Sequence, residues 1–140
     1  MPFDFASPLT ACLALLAGWV LIGALLGLTG VALGAFGAHG LADRLQANGR
    51  ADTFETAVRY HLIHAVALLA VGVLAFNAPS PAVQWAGTLM TAGTLIFSGA
   101  LYILAIFDLR IMGAVAPIGG ALMIAGWAAL AWAAWTYPVP

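Results

Sequence analysis

The sequence contains no lysine, a single cysteine and very little charge of either sign. Only 6% of its 140 residues are Asp, Glu, Lys or Arg, whereas soluble domains carry roughly 25%. The four basic residues are arginines that form no cluster, and phosphate contacts need clustered cations, so nucleic-acid binding is excluded. The lone Cys12 excludes an intramolecular disulfide and a multi-cysteine metal or iron–sulfur site. We expect Cys12 to pack among apolar side chains.

Apolar residues make up 64% of the chain and fall into four long runs. The runs cover about residues 9–38, 54–76, 82–107 and 112–135, and each reaches the roughly 20 residues that a membrane-spanning helix requires. An amphipathic or loop segment at about 40–53 and short polar breaks at 77–81 and 108–110 separate them. The first run is too long for a signal peptide, and Asp4 is the only charge before it, so we expect a retained helix. The sequence predicts one all-α transmembrane domain over residues 1–140, an up-down-up-down four-helix bundle with both termini on the same side.

Small residues recur at helical spacing on the predicted helices. In the first helix they are Gly23, Gly27, Gly30, Gly34 and Gly37, which share one face and predict a tightly packed neighbour. The third helix has a similar stripe of small residues at Gly87, Thr91, Thr94 and Ser98. Pro117 removes a backbone donor from the fourth helix and predicts a kink, with the freed carbonyl of Gly113 bonded by a hydroxyl such as that of Ser98. We also expect Gly99, Gly119 and Gly120 to lie in helix contacts.

Polar and titratable residues are confined to one half of the predicted bundle. Glu55 and Arg59 are four residues apart and can pair along the helix, although Asp52 or Asp108 can also reach Arg59. The opposite half carries Trp85, Trp132, Trp135 and Tyr137, which are typical of an interfacial aromatic belt. The pattern predicts a polar cavity open to one face. Its candidate lining residues are His39, Glu55, Arg59, Tyr60, His61, His64, Ser98, Tyr102, Asp108 and Arg110.

Four ordered segments resemble the YgdD-like inner-membrane proteins, a small four-helix family of unknown function with a eukaryotic relative. The segments are GAFGAHGL (34–41), YHLIHAVALL (60–69), LIFSGALY (95–102) and GAVAPIGGALMIAGW (113–127), and the resemblance covers about residues 19–135. It implies a bacterial inner-membrane location and no particular activity. His61 and the N-terminal extension up to about Gly18 fall outside the family pattern. The resemblance places weight on Gly34, Gly37, His39, Tyr60, His64, Ser98, Gly99, Tyr102, Arg110, Pro117, Gly119 and Gly120.

Several functions stay open on the sequence alone. His39, His61 and His64 can be combined into a three-histidine metal set, and His39 with His64 into a haem ligand pair. A quinone or lipid headgroup needs only a polar cleft near the interface, and a proton or solute pathway needs titratable groups across the whole bilayer, which the other half lacks. No known catalytic motif is present, although the spacing of Ser98, His64 and Asp108 is compatible with a catalytic group. The last alternative is a structural polar network that fixes how the helices pack.

We predict a small non-enzymatic membrane protein with no metal and no cofactor, which binds a lipid-like or small polar ligand in the polar cavity. The alternative is an accessory or structural subunit of a larger membrane assembly. Expected partners are membrane lipids and a second copy of the chain or a larger complex. All four arginines fall on one side, which by the positive-inside rule places the termini outside the cytoplasm, but nearby acids leave the orientation open.

Overall fold

A computed structural model describes residues 8–137, with side chains at residue 14 and from residue 17 onward. It contains five helices: α1 (Pro8–His39), α2 (Ala42–Ala47), α3 (Ala51–Asn77), α4 (Pro81–Phe107) and α5 (Met112–Trp135). The segments Ala17–His39, Ala51–Asn77, Pro81–Phe107 and Met112–Trp135 are long and apolar enough to span a membrane. This confirms the predicted all-α four-helix membrane bundle. Asp4 and the side chain of Cys12 lie outside the described residues.

Local signals explain where the helices begin and end. Ser80 caps α4, because its Oγ accepts from the backbone N–H of Val83 at 3.3 Å, and Pro81 follows at the first helical position. Asp108 ends α4 in the left-handed conformation with a φ of 50°. Gly49, with a φ of 64°, reverses the chain between α2 and α3, a conformation that glycine adopts without steric cost.

The four long helices pack around a central pair. α3 packs against α4, α1 lies mainly against α3, and α5 lies mainly against α4. In the most apolar 18-residue stretch of each helix, 44% of the residues in α3 and 39% of those in α4 are buried. The corresponding share is 22% in both α1 and α5. The two outer helices therefore face mostly lipid, and the packed interior is built on α3 and α4.

Glycines allow the close approach of α1 to α3. A Cβ atom at Gly23 would lie 2.9 Å from the carbonyl oxygen of Ala65, and one at Gly30 would lie 2.8 Å from Cδ2 of Leu62. A Cβ at Gly37 would overlap the ring of Phe54. Gly27 and Gly34 face the same helix at wider spacing. In lipid, where burial alone drives no association, this backbone approach supplies the dispersion contacts that hold α1 to α3.

The α4–α5 contact uses a second set of glycines. A Cβ at Gly119 would overlap the backbone of Phe97, and Cβ atoms at Gly93 and Gly126 would each lie 2.7 Å from a methionine side chain. At Gly120 a Cβ would only touch Phe97 at 3.8 Å, and at Gly99 it would meet nothing within 4 Å. Gly119 is therefore a close-packing position, while Gly99 has free space around it.

Pro117 lies in α5, which continues as one helix from Met112 to Trp135. The predicted bond from the hydroxyl of Ser98 to the carbonyl of Gly113 is not formed. The hydroxyl donates instead to the carbonyl oxygen of Ala57 in α3 at 2.9 Å. The reason is the direction of Ser98, which sits on the face of α4 that packs against α3.

Candidate functional site

His61 lies in a hydrogen-bonded chain that joins three helices. Its Nδ1 is 3.1 Å from the hydroxyl of Tyr102 in α4, and its Nε2 is 3.4 Å from Oγ1 of Thr29 in α1. Thr29 donates its own proton to the carbonyl of Leu25 at 2.8 Å. Its oxygen is then free to accept from Nε2–H of His61, which leaves Nδ1 to accept from Tyr102; this tautomer is assigned from the network. Both ring nitrogens of the buried His61 are thus occupied.

His64 connects α3 to α5 through a different pair of bonds. Its Nδ1 is 2.8 Å from the carbonyl oxygen of Tyr60, and its Nε2 is 3.1 Å from the indole Nε1 of Trp127. An indole N–H can only donate and a carbonyl can only accept, so this arrangement fits a neutral imidazole protonated at Nδ1. The ring also stacks on that of Tyr60, with centroids 6.2 Å apart. His64 therefore has no ring nitrogen left for a ligand.

The three histidines do not converge. His61 turns toward α1 and α4, His64 turns toward α5, and His39 is exposed at the end of α1. Within residues 8–137, no group of three His, Cys, Asp or Glu residues is placed to hold a metal ion. The three-histidine set and the His39–His64 haem pair are not formed. The physical reason is that in lipid each buried imidazole takes partners from whichever helix it faces.

Ser98, His64 and Asp108 do not form a catalytic group. Ser98 is fully buried and bonded to Ala57, and His64 is bonded to Tyr60 and Trp127. Asp108 lies ten residues beyond Ser98, at the end of α4, where its Oδ1 accepts from Arg50 at 3.1 Å. The acid of this trio is therefore part of a separate ion pair.

At one end of the bundle α1 and α4 end, α3 and α5 begin, and the short helix α2 lies between α1 and α3 in sequence; we call this the arginine end. The Arg50–Asp108 ion pair belongs to a group of contacts at this end. Asn48 donates through Nδ2 to the carbonyl oxygens of Ala105 and Ile106 at 3.0 and 3.2 Å. The guanidinium of Arg44 lies 5.5 Å from the ring centroid of Phe107. Together with Arg50, these contacts dock the α2–α3 connection onto the last turn of α4. Asn48 was not among the predicted site residues, although Asn48-Gly49 is a turn signal.

Glu55 and Arg59 form an exposed ion pair on α3, which we call the rim pair. Nη2 of Arg59 lies 2.9 Å from Oε1 of Glu55. Of the three acids that the sequence offered as partners of Arg59, Glu55 forms the ion pair. Asp108 pairs with Arg50 instead. Arg110 is exposed at the start of α5.

Next to the rim pair lies a cavity of about 330 Å³, the α1–α3 cavity. It forms where the small residues of α1 leave space under α2, and Glu55 stands in its wall. Its walls are apolar apart from Glu55 and Gln46. The lining residues are Gly34, Gly37, Ala38, Ala42, Leu45, Gln46, Ala51, Phe54, Glu55 and Val58.

The predicted polar cavity is therefore divided into separate parts. Of its ten candidate residues, only Glu55 lines the α1–α3 cavity. His61, His64, Ser98 and Tyr102 are buried in helix contacts, where they bond to one another or to neighbouring helices. The remaining five candidates are exposed: His39, Arg59, Tyr60, Asp108 and Arg110.

A larger cavity of about 690 Å³, the α3–α5 cavity, lies at the opposite end. Leu74, Val83 and Leu130 form apolar parts of its wall, with Asn77 and Tyr137 among its polar lining residues. The sequence analysis assigned only an aromatic belt to this end. The cavity is lined by residues of α3 and α4 together with residues of α5 that are distant from them in sequence, so no local motif indicates it.

Comparison with known proteins places the chain in a family. The model of a family described as "Protein of unknown function (DUF423)" matches residues 33–120. The UPF0382 membrane protein SH2409 of Staphylococcus haemolyticus is 45% identical over 109 residues, 78% of this chain and 88% of the relative. The UPF0382 membrane protein YwdK of Bacillus subtilis is 40% identical over 120 residues, 85% of this chain and 97% of the relative.

A eukaryotic relative, the UPF0382 membrane protein C1782.12c of Schizosaccharomyces pombe, is 37% identical over 114 residues, 78% of this chain and 94% of the relative. No solved structure matches the chain. The matched stretch of the family model contains α2, α3 and α4 in full, and with them the α1–α3 cavity, the rim pair and both buried histidines. The chain belongs to the DUF423 family, whose relatives named here are UPF0382 membrane proteins and whose function is unknown.

Proposed function

We propose that this protein binds a lipid-like ligand in the α1–α3 cavity and catalyses no reaction. The observation that carries the proposal is the position of a largely apolar cavity directly beside an exposed acid–base pair. A ligand with an apolar body and a charged head fits both features at once. Glu55 of the rim pair stands in the cavity wall, whereas His61, His64, Ser98 and Tyr102 are bonded within helix contacts.

The depth of the rim pair supports a ligand from the bilayer. From Tyr60 to Asn77, α3 has eighteen residues without Asp, Glu, Lys or Arg. At 1.5 Å per residue they rise ~27 Å, close to the ~30 Å of a hydrocarbon core. Arg59 and Glu55 then stand at the level of the lipid headgroups. The α1–α3 cavity lies at the same level, because its innermost lining residue on α3, Val58, precedes Arg59.

Membrane location and topology form part of the proposal. The resemblance to YgdD-like proteins and the bacterial relatives support a bacterial inner membrane. Gly23 faces Ala65 and Gly37 faces Phe54, so α1 and α3 run antiparallel. The same alternation through α4 and α5 supports placing both termini on one side of the membrane.

A second candidate is an accessory subunit that packs against a copy of itself or a larger membrane assembly. The saturated bonds of His61, His64 and Ser98 favour it, because a rigid bundle without a free polar site is what such a role needs. The two candidates differ in one respect: only lipid binding requires the α1–α3 cavity to be occupied.

Native mass spectrometry of the detergent-purified protein tests the proposal. Ala42 lines the α1–α3 cavity and Ala47 does not, although both lie on the short helix α2. We expect the wild type and Ala47→Trp to retain a lipid-mass adduct, and Ala42→Trp to lose it. Ala133→Trp fills the α3–α5 cavity and should leave the adduct in place.

Two outcomes would contradict lipid binding in the α1–α3 cavity. If Ala42→Trp and Ala47→Trp carried the same adduct, the ligand would lie elsewhere, and loss in Ala133→Trp would assign it to the α3–α5 cavity. If no variant and no wild-type sample carried an adduct, the accessory role would be favoured, and a stoichiometric partner in a pulldown from native membranes would support that role.

A further inference from the structure

The rim pair presents two opposite charges at two depths. The Cα atom of Arg59 lies four residues farther into the bundle than that of Glu55, ~6 Å along α3, while the paired atoms Nη2 and Oε1 are 2.9 Å apart. Their side chains are 64% and 69% exposed, so both are accessible from outside the bundle. Going from the hydrocarbon outward, a ligand at this surface meets a guanidinium first and a carboxylate second.

Both groups retain bonding capacity. The bond recorded between them uses one N–H of Arg59 and Oε1 of Glu55. A guanidinium has five N–H donors and a carboxylate has two oxygens, so four donors and Oε2 have no partner recorded in the described part of the chain. A guanidinium is well suited to a phosphate, since it can donate two parallel bonds to it.

Phospholipid headgroups have the matching order of charge only when they are zwitterionic. The phosphate sits next to the glycerol, and the amine lies beyond it, farther from the hydrocarbon. From this match we propose that the rim pair recognises a phosphoethanolamine headgroup, with the phosphate on Arg59 and the primary ammonium on Glu55. This inference rests on the proposed lipid binding and names the class of lipid.

The same geometry discriminates against other headgroups. A phosphoglycerol headgroup has no cation, so its negative charge would be repelled by the carboxylate of Glu55 without compensation. A phosphocholine headgroup is zwitterionic, but its quaternary nitrogen has no N–H to donate to Oε2.

Lipid competition in native mass spectrometry tests this inference. The purified protein is mixed with equimolar phosphatidylethanolamine, phosphatidylglycerol and phosphatidylcholine that carry identical dioleoyl chains. We expect the phosphatidylethanolamine adduct to exceed each of the others about fivefold. This factor corresponds to the upper limit of the interaction energy of an exposed ion pair. Glu55→Gln should abolish this preference, whereas Asp52→Asn, which removes an exposed acid from the first turn of the same helix, should retain it.

A variant with exchanged charges provides the sharpest control. Glu55→Arg combined with Arg59→Glu keeps an ion pair on the same turn of α3 but exchanges the positions of the two charges. The preference for phosphatidylethanolamine should then disappear, while a lipid adduct remains. Equal amounts of the three lipids on the wild type, or an unchanged preference in the exchanged variant, would overturn the inference and leave lipid binding intact. Absence of any adduct on the wild type would overturn both.

Discussion

The indole N–H of Trp127 points to Nε2 of His64 across 3.1 Å and thereby ties α5 to α3, two helices whose backbones make no extensive contact in the described bundle. Trp127 is 45% exposed, so one face of this bond borders lipid. Lipid offers no replacement donor if the indole is removed, so loss of this bond should lower the stability of the bundle.

Trp127→Phe should lower the stability of the bundle. The substitution keeps an aromatic ring but leaves Nε2 of His64 without a donor, and polar bonds between membrane helices contribute on average ~0.6 and at most ~1.7 kcal/mol. We expect a loss in that range, measured by unfolding in mixed detergent micelles. Trp132→Phe is the matched control, because the side chain of Trp132 is 63% exposed and has no recorded bond. Equal unfolding midpoints for the two variants would show that the bond contributes nothing.

Gly119→Ala should destabilise the α4–α5 contact. Its new methyl group would overlap the backbone of Phe97, which cannot move without shifting α4, and overpacking typically costs ~1–3 kcal/mol. Gly99→Ala adds the same methyl group where nothing lies within 4 Å and should be neutral or slightly stabilising. The measurement is the same unfolding experiment. A Gly99→Ala variant as unstable as Gly119→Ala would contradict the packing described.

Asn48→Ala should loosen the arginine end without unfolding the bundle. The variant loses both bonds to the carbonyls of Ala105 and Ile106, and each is worth ~0.5–1.5 kcal/mol. Hydrogen exchange followed by mass spectrometry should then be about five- to 150-fold faster in residues 41–50, with α3 and α4 unaffected beyond their first and last turns. Asp43→Asn, an exposed change on α2 outside the α1–α3 cavity, should leave the exchange rates unchanged. Slow exchange in both variants would mean that Arg50 and Asp108 hold the connection alone.

The number of helices long and apolar enough to span a membrane could be predicted from the sequence because it depends on local composition. Four apolar runs of sufficient length leave no other arrangement, since every backbone polar group in lipid must be bonded within a helix. The spacing of Gly23, Gly30 and Gly37 likewise places these residues on one helix face, and the structure shows that α3 covers that face.

The site was harder to predict because it depends on which helices are neighbours. His61 and His64 are three residues apart and could be combined in one metal set, yet they point to different helices. Only the placement of α1 and α5 against the central pair decides this. The α1–α3 cavity depends on where α2 folds back, which rests on Asn48 and Arg50 contacting residues 57 or 58 positions away in sequence.

The glycines and the polar side chains hold together different parts of the chain. Close glycine packing joins α1 to α3 and α4 to α5, so it is largely internal to two consecutive helical hairpins. Most of the polar bonds between helices join one hairpin to the other: Ser98 to Ala57, Tyr102 to His61, Trp127 to His64, Trp19 to Gln84, Asn48 to Ala105 and Arg50 to Asp108. During synthesis the first hairpin can thus complete its own packing before the second emerges from the ribosome. The polar bonds between the hairpins then determine how the two hairpins pair and in which register they pack in the membrane.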